Sequence, residues 1–343
     1  MKNPVFATLS VMALTLGACG EKAADGDAAS AAPGEQSEAA NGQGSDASQA
    51  GATDNVDIDG SGANVTAARD AWASLIDPNE RDAFTFANYK DVRISNAAFD
   101  LAVNFESKTL SGFVDLSLEY LNETVDEIIL DTNGLSIDTI TSLDGDEPQP
   151  LPYTIGDHDD FLGAPLAIQL VDRPNILRIS YKTSPDAGGL QWLSPDQTAS
   201  KEHPFLFSQN QAIYARTMAP LQDTPAVRFS YSARITTTDK LRVLMSAEQD
   251  TGERDGEYTF SMPQPIPSYL LAITVGDLKF KAISETVAVY AEDYILDASA
   301  AEFADTPQMV DANEALYGPY RWGRYDMLAV SYTHLTLPTK RIV

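Results

Sequence analysis

Residues Asn96 to Tyr120 read NAAFDLAVNFESKTLSGFVDLSLEY, and the period of this stretch decides the fold class. Phe99, Leu101, Val103 and Phe105 alternate with polar or small residues, and after a turn near Ser107 the alternation resumes at Val114, Leu116, Leu118 and Tyr120. A period of two sends successive side chains to opposite faces, so the stretch predicts a β-hairpin with one face in a core.

Toward the C-terminus the same reading predicts strands at Glu127–Leu130, Ala167–Leu170, Leu177–Tyr181, Val227–Ile235, Leu241–Met245, Tyr258–Met262 and Leu270–Val275. Many short strands separated by turn residues argue for a mainly β chain built as a large antiparallel saddle or sandwich. After Phe280 the pattern changes. Val287, Val289 and Tyr290 predict one more strand, and Thr306 and Pro307 look like an N-cap and first helical position. Met309, Val310, Asn313, Leu316 and Tyr317 follow at helical spacing up to Gly318-Pro319, and Tyr325 to Val330 would begin another strand. A domain boundary is therefore expected near Lys281–Thr286.

Toward the N-terminus, Trp72, Leu75 and Ile76 form one apolar helical face before Pro78, which makes residues 67–83 a short helical lead-in. Residues 19–66 are Ala, Gly, Ser, Gln and acidic residues without an aromatic, too polar to offset the entropy of ordering, and read as a disordered acidic linker. Residues 1–18 carry Lys2 and an apolar run from Val5 to Leu16, too short to span a bilayer comfortably. Leu16-Gly17-Ala18-Cys19 resembles the bacterial lipobox, which implies a signal peptide cut before Cys19, lipidation of Cys19 and a membrane anchor there. The implied location is the cell envelope, as an outer-membrane lipoprotein facing the periplasm or exposed outside the cytoplasm.

Lys and Arg total 23 against 50 Asp and Glu, a formal net charge of −27 that would repel a phosphate backbone, so nucleic acid is not expected as a partner. A single cysteine excludes an intramolecular disulfide.

A second stretch carries chemistry. Gly188 to Pro225 reads GGLQWLSPDQTASKEHPFLFSQNQAIYARTMAPLQDTP. Gln209 and Gln211 lie two apart, and in an extended segment both carboxamides would project to one face. A carboxamide carries donors and an acceptor and can grip a peptide end without adding charge; spacing alone equally allows a solvated polar face. This stretch, with Lys201-Glu202-His203-Pro204, Leu221-Gln222-Asp223-Thr224-Pro225, Pro265-Ile266-Pro267 followed by Tyr269 and Leu270, and Gly318-Pro319-Tyr320-Arg321-Trp322-Gly323-Arg324-Tyr325-Asp326, resembles the aminopeptidase N clan of zinc aminopeptidases, in the branch of leukotriene A(4) hydrolase.

The resemblance covers most of Phe84 to Val330. It implies an N-terminal β domain over 84–282 and the truncated start of a thermolysin-like α/β catalytic domain over 283–330. That start would pack poorly or lean on the β domain. It also implies peptide substrates, with Gln209 and Gln211 as substrate-binding residues, the second helping to hold the free amino end. Asn210 stands where the family varies and is assigned contact only through its backbone. Read as residues, the rest of these blocks is scaffold: prolines in turns, Trp322 and Tyr325 in packing, His203 in a loop or a structural role.

A zinc peptidase of this class needs His-Glu-x-x-His on one helix, with the Glu as general base and a later carboxylate as third ligand. The histidines here are His158, His203 and His334, and none forms such a pair. Asp157-His158-Asp159-Asp160 follows Gly156 in what reads as a turn and is poorly preorganised for a metal. By resemblance, zinc in the full-length parent polarises the scissile carbonyl and activates water, while this chain holds no catalytic or metal residue, binds no zinc and is inactive alone. Val330 to Thr339 resembles a translated sequencing-library adapter, so 331–343 is read as foreign to the natural protein. Two alternatives stay open: a noncatalytic β lipoprotein that binds peptides or a partner, and an epoxide-hydrolase side activity.

Overall fold

The structure, a computed structural model, describes residues 6–8 and 82–330 apart from 146, 239 and 251–253. The linker 19–66, the lead-in helix up to residue 81 and the segment 331–343 lie outside the described residues. Of the expected signal segment, only Phe6–Thr8 is described, as the short strand β1.

The hairpin read from Asn96–Tyr120 is β2 (Val92–Asn104) against β3 (Thr109–Tyr120), pairing Phe99 with Val114, Leu101 with Gly112 and Val103 with Leu110. Phe99, Leu101, Val114 and Leu116 are buried in the main core, and Val103, Phe105, Leu118 and Tyr120 pack half-buried against it. Gly112 is required where the strands approach: its φ is +150°, and a Cβ there would lie 2.0 Å from the Asp100 carbonyl oxygen.

The remaining strands are β4 (Glu127–Thr132), β5 (Ser136–Ser142), β6 (Gln149–Pro150), β7 (Tyr153–Ile155), β8 (Ala164–Gln169), β9 (Ile176–Lys182), β10 (Leu190–Leu193), β11 (Phe205–Ser208), β12 (Arg228–Thr236), β13 (Arg242–Met245), β14 (Glu248–Asp250), β15 (Glu257–Pro267), β16 (Ile273–Gly276), β17 (Leu278–Ala282), β18 (Val287–Glu292) and β19 (Tyr325–Leu328). The large sheet runs β1-β14-β15-β12-β2-β3-β9-β5-β6. Its pairs are antiparallel except β2 with β12. Smaller sheets are β10-β11-β16-β13, β4-β8-β7 and β17-β18-β19. The chain is mainly β, as its alternation predicts.

Several elements escape the pattern. In β5 the register slips between Ile137 and Thr139, so its apolar Ile137 and Ile140 fall three apart and hide the period of two. Helix α1 (Asp293–Glu302) fully buries only Ser299 and Ala300, with Ile295 and Leu296 half-buried beside them against Val287, Val289 and Ala291, so its inward face is short and part polar and gives a weak pattern. The strand expected from Leu270 begins at Ile273, after a 3-10 turn at Ser268–Leu270. Helix α2 (Thr306–Tyr317) takes Asp305 as N-cap, with Thr306 as its first helical residue.

β18 and β19 are parallel, joined by α1 and α2 as the crossover a parallel pair needs. The hairpin β17–β18 turns at residues 283–286, where the chain was expected to pass between domains. A shared cluster joins the two sides: Phe205 and Phe207 of β11 and Leu244 of β13 pack with Leu278, Tyr290 and Leu328. Trp322 packs against the main core.

Candidate functional site

Strand β11 lies between β10 and β16, and its four residues are all buried. It stops at Ser208. Gln209 and Asn210 continue without regular structure and Gln211 opens a turn, so the segment is not extended through both glutamines. Gln209 and Gln211 are nevertheless both exposed, with buried Asn210 between them. The Gln209 N–H donates to the Gly189 carbonyl at 2.9 Å, and the Gln209 side-chain oxygen accepts from the Gln211 N–H at 3.0 Å. The peptide bond from Gln211 to Ala212 is cis.

Gly188 and Gly189 allow this loop to close on β10. A Cβ on Gly189 would lie 2.4 Å from the Asn210 side-chain oxygen and 2.8 Å from both the Thr217 hydroxyl and the Tyr214 carbonyl. On Gly188 it would meet the Tyr214 ring at 3.0 Å. Gly189 N–H donates to Thr217 Oγ1 at 2.9 Å, and that hydroxyl donates to the Tyr214 carbonyl at 2.7 Å.

Behind the loop is a buried charge network. Arg216 is 1% exposed; its Nε donates to Asp223 Oδ2 at 3.0 Å, one terminal nitrogen to the Leu162 carbonyl at 2.7 Å and the other to the Phe84 carbonyl at 2.7 Å. Asp131 accepts from the Thr85 hydroxyl at 2.5 Å and from the backbone N–H groups of Phe86 and Asp223 at 2.8 and 2.9 Å. Ser268 donates to Asp223 Oδ1 at 2.5 Å. Gln222 bridges β2, accepting from Ile94 N–H at 3.0 Å and donating to the Val92 carbonyl at 2.9 Å. Burial pushes the Asp223 carboxyl above its ordinary value, against the opposing pull of Ser268 and Arg216. Buried charges of this kind survive only when paired and fully hydrogen-bonded.

The residues just before the Lys201-Glu202-His203-Pro204 block are tied to the end of β18. Buried Glu292, the residue before α1, accepts from the Ala199 and Ser200 N–H groups at 3.0 and 3.2 Å. Residue-type reasoning assigned Arg216, Asp223 and Glu292 no such roles. One signal was available for two of them: Arg216 and Asp223 are opposite charges seven residues apart in an otherwise uncharged stretch, a pattern that allows mutual pairing.

The histidines do not converge. His158 is exposed in its turn, where Asp159 accepts from the Phe161 and Leu162 N–H groups and those bonds hold its carboxyl below the usual value. His203 is half-buried in its loop. Among the described residues no group of three or more His, Cys, Asp or Glu could hold a metal ion, so the described side chains do not fit the zinc of the resembling family.

Residues 87–270 match the Peptidase M1 N-terminal domain, which is more than half of the chain. Leukotriene A-4 hydrolase of Xenopus laevis is 36% identical over 259 residues, covering 72% of this chain and 42% of that protein. Leucine aminopeptidase 2 of Vanderwaltozyma polyspora is 34% identical over 259 residues, covering 73% of this chain and 38% of its own length. The solved M1 zinc metallopeptidase from Deinococcus radiodurans, at 18% identity, shares the fold with a TM-score of 0.57 over 74% of this chain and 60% of that one. The chain thus spans about two fifths of the length of the two curated relatives, 42% and 38%. Fold and matched residues agree that the chain belongs to the M1 peptidase family and contains its N-terminal domain.

Proposed function

We propose that this chain is the N-terminal part of a zinc-dependent aminopeptidase that releases N-terminal residues from peptides. The observation that carries the reading is the anchored loop at the end of β11, which belongs to the family-matched region and presents Gln209 and Gln211 to solvent on a buried, hydrogen-bonded base. Polar carboxamides held on a rigid base suit recognition of a peptide's amino end. The zinc would be held by side chains outside this chain.

Exposed apolar surface on the second part of the chain supports the same reading. Tyr294 of α1 is 85% exposed, and Leu316 and Tyr317 of α2 are 75% and 84% exposed. Such a surface on a helical pair is expected to be covered by further protein, and the continuation of a catalytic domain is the occupant this reading supplies. Lipidation at Cys19 and residence in the cell envelope complete the proposal; they rest on the lipobox-like Leu16–Cys19 and lie outside the described residues.

The test is to clone the source gene through its downstream region and assay the product on aminoacyl p-nitroanilides. Activity abolished by a chelator and restored by zinc is expected, with none from the 343-residue chain alone. A longer product that binds peptides without cleaving them would replace this reading with the noncatalytic one.

A further inference from the structure

Ser208 and Asn210 alternate with Gln209 and Gln211, and burial separates the pairs: Ser208 is 6% and Asn210 2% exposed, while both glutamines are exposed. The buried pair is clamped to one segment. Ser208 Oγ accepts from the Ile273 N–H at 2.9 Å, and the Asn210 carboxamide nitrogen donates to the Leu271 carbonyl at 2.7 Å, with Met218 Sδ at 3.8 Å from it. That segment is itself fixed to the charge network, because Leu271 N–H donates to the Ser268 carbonyl at 3.0 Å and the Ser268 hydroxyl donates to Asp223. The circuit closes on the same loop, where Arg216 pairs with Asp223 and Tyr214 N–H donates to the Asn210 carbonyl at 2.9 Å.

We propose that Ser208 and Asn210 are positioning residues that set how far Gln209 and Gln211 reach toward the free amino end of a peptide. The positioning stands on this geometry; its substrate rests on the aminopeptidase reading above. The chemistry of residue 210 is specific. Its donor faces a carbonyl, so an aspartate of the same shape would set acceptor against acceptor, and alanine would leave the Leu271 carbonyl unpaired. Its other end, the side-chain oxygen, is buried without a hydrogen-bond partner against Gly189, where only a glycine leaves room. The loop therefore depends on a directed hydrogen bond rather than on side-chain volume.

Two measurements test this. In the chain as it stands, hydrogen exchange of the Gln209, Gln211 and Tyr214 amides should quicken about 3- to 10-fold in Asn210→Ala, the effect of one hydrogen bond, while the β2–β3 hairpin keeps its protection. Ser208→Ala should act in the same direction. Asn210→Asp, though isosteric, should be at least as fast as Asn210→Ala; wild-type exchange in either Asn210 variant overturns the positioning role. In the longer gene product, Asn210→Ala and Ser208→Ala should raise KM for aminoacyl p-nitroanilides about 3- to 10-fold with kcat held within about two-fold. An active wild type whose KM neither variant moves overturns the substrate part. A wild type without aminopeptidase activity overturns the proposed function instead, and the exchange measurement still decides the positioning.

Discussion

The Nε of Arg216 meets Asp223 Oδ2 at 3.0 Å, with the two side chains 1% and 0% exposed. This pair joins the loop after β11 to Ser268 and, through the Asp223 N–H, to Asp131. Removing one partner leaves the other charge buried and alone. Arg216→Met should therefore cost about 3–5 kcal/mol of stability, read by urea unfolding. A loss below about 1 kcal/mol would mean that the network is solvated in solution.

Burial raises the carboxyls of both Asp223 and Asp326 above their ordinary values, with Arg324 opposing the shift at Asp326. A carboxyl whose folded pKa is raised binds its proton more tightly in the folded state. Its contribution is fully present below the ordinary value of 3.8 and is lost as pH rises through the folded pKa. Unfolding free energy measured at stepped pH from about 4 to 7 should contain a component that falls with rising pH, and that component should shrink in Asp326→Asn. An unchanged slope in the variant would argue against the burial of that group.

Gly189→Ala should destabilise by about 1–3 kcal/mol, since the new methyl meets two side-chain oxygens and a carbonyl at close range. The relief should be partial in the double variant Gly189→Ala/Asn210→Ala, because the Thr217 and Tyr214 oxygens remain. Thermal denaturation of the four proteins in the cycle gives the coupling, and strict additivity would contradict the contact.

Glu292 holds the loop that carries exposed Lys201 by accepting the Ala199 and Ser200 N–H groups. Glu292→Ala should speed tryptic cleavage after Lys201 at least several-fold, because the segment loses both backbone hydrogen bonds to that carboxylate. Mass spectrometry of the timed digest reads this site directly. Cleavage there at the wild-type rate would show that the loop is held by other contacts.

Leu316→Glu with Tyr317→Glu should leave far-UV circular dichroism unchanged while lowering binding of a hydrophobic dye, since both side chains lie largely in solvent. Equal dye binding by the variant would place the apolar surface elsewhere on the chain.

Alternation over Asn96–Tyr120 was enough to predict β2 and β3, because a half-buried strand writes its burial directly into a period of two. Pattern reading failed at β5, where a register slip moved Ile140 off the period, and at α1, whose short inward face mixes Ile295 and Leu296 with small Ser299 and Ala300. Family membership was legible in the blocks from Gly188 to Asp326, since their residue types and spacing are local properties of the chain.

Tertiary structure decided how those blocks act on one another. Arg216, Asp223, Asp131 and Ser268 lie as much as 137 residues apart, yet they form one buried network, and no local pattern pairs a given carboxylate with a given guanidinium. Sequence spacing put Gln209 and Gln211 on one face by assuming an extended strand. The folded chain exposes both by a different route: β11 ends at Ser208, and the carbonyl of Leu271 and the N–H of Ile273 capture the residues between and before them. Buried polar groups must find partners wherever the fold supplies them, so the direction of a side chain at a strand end is settled by long-range hydrogen bonds that the linear pattern does not record.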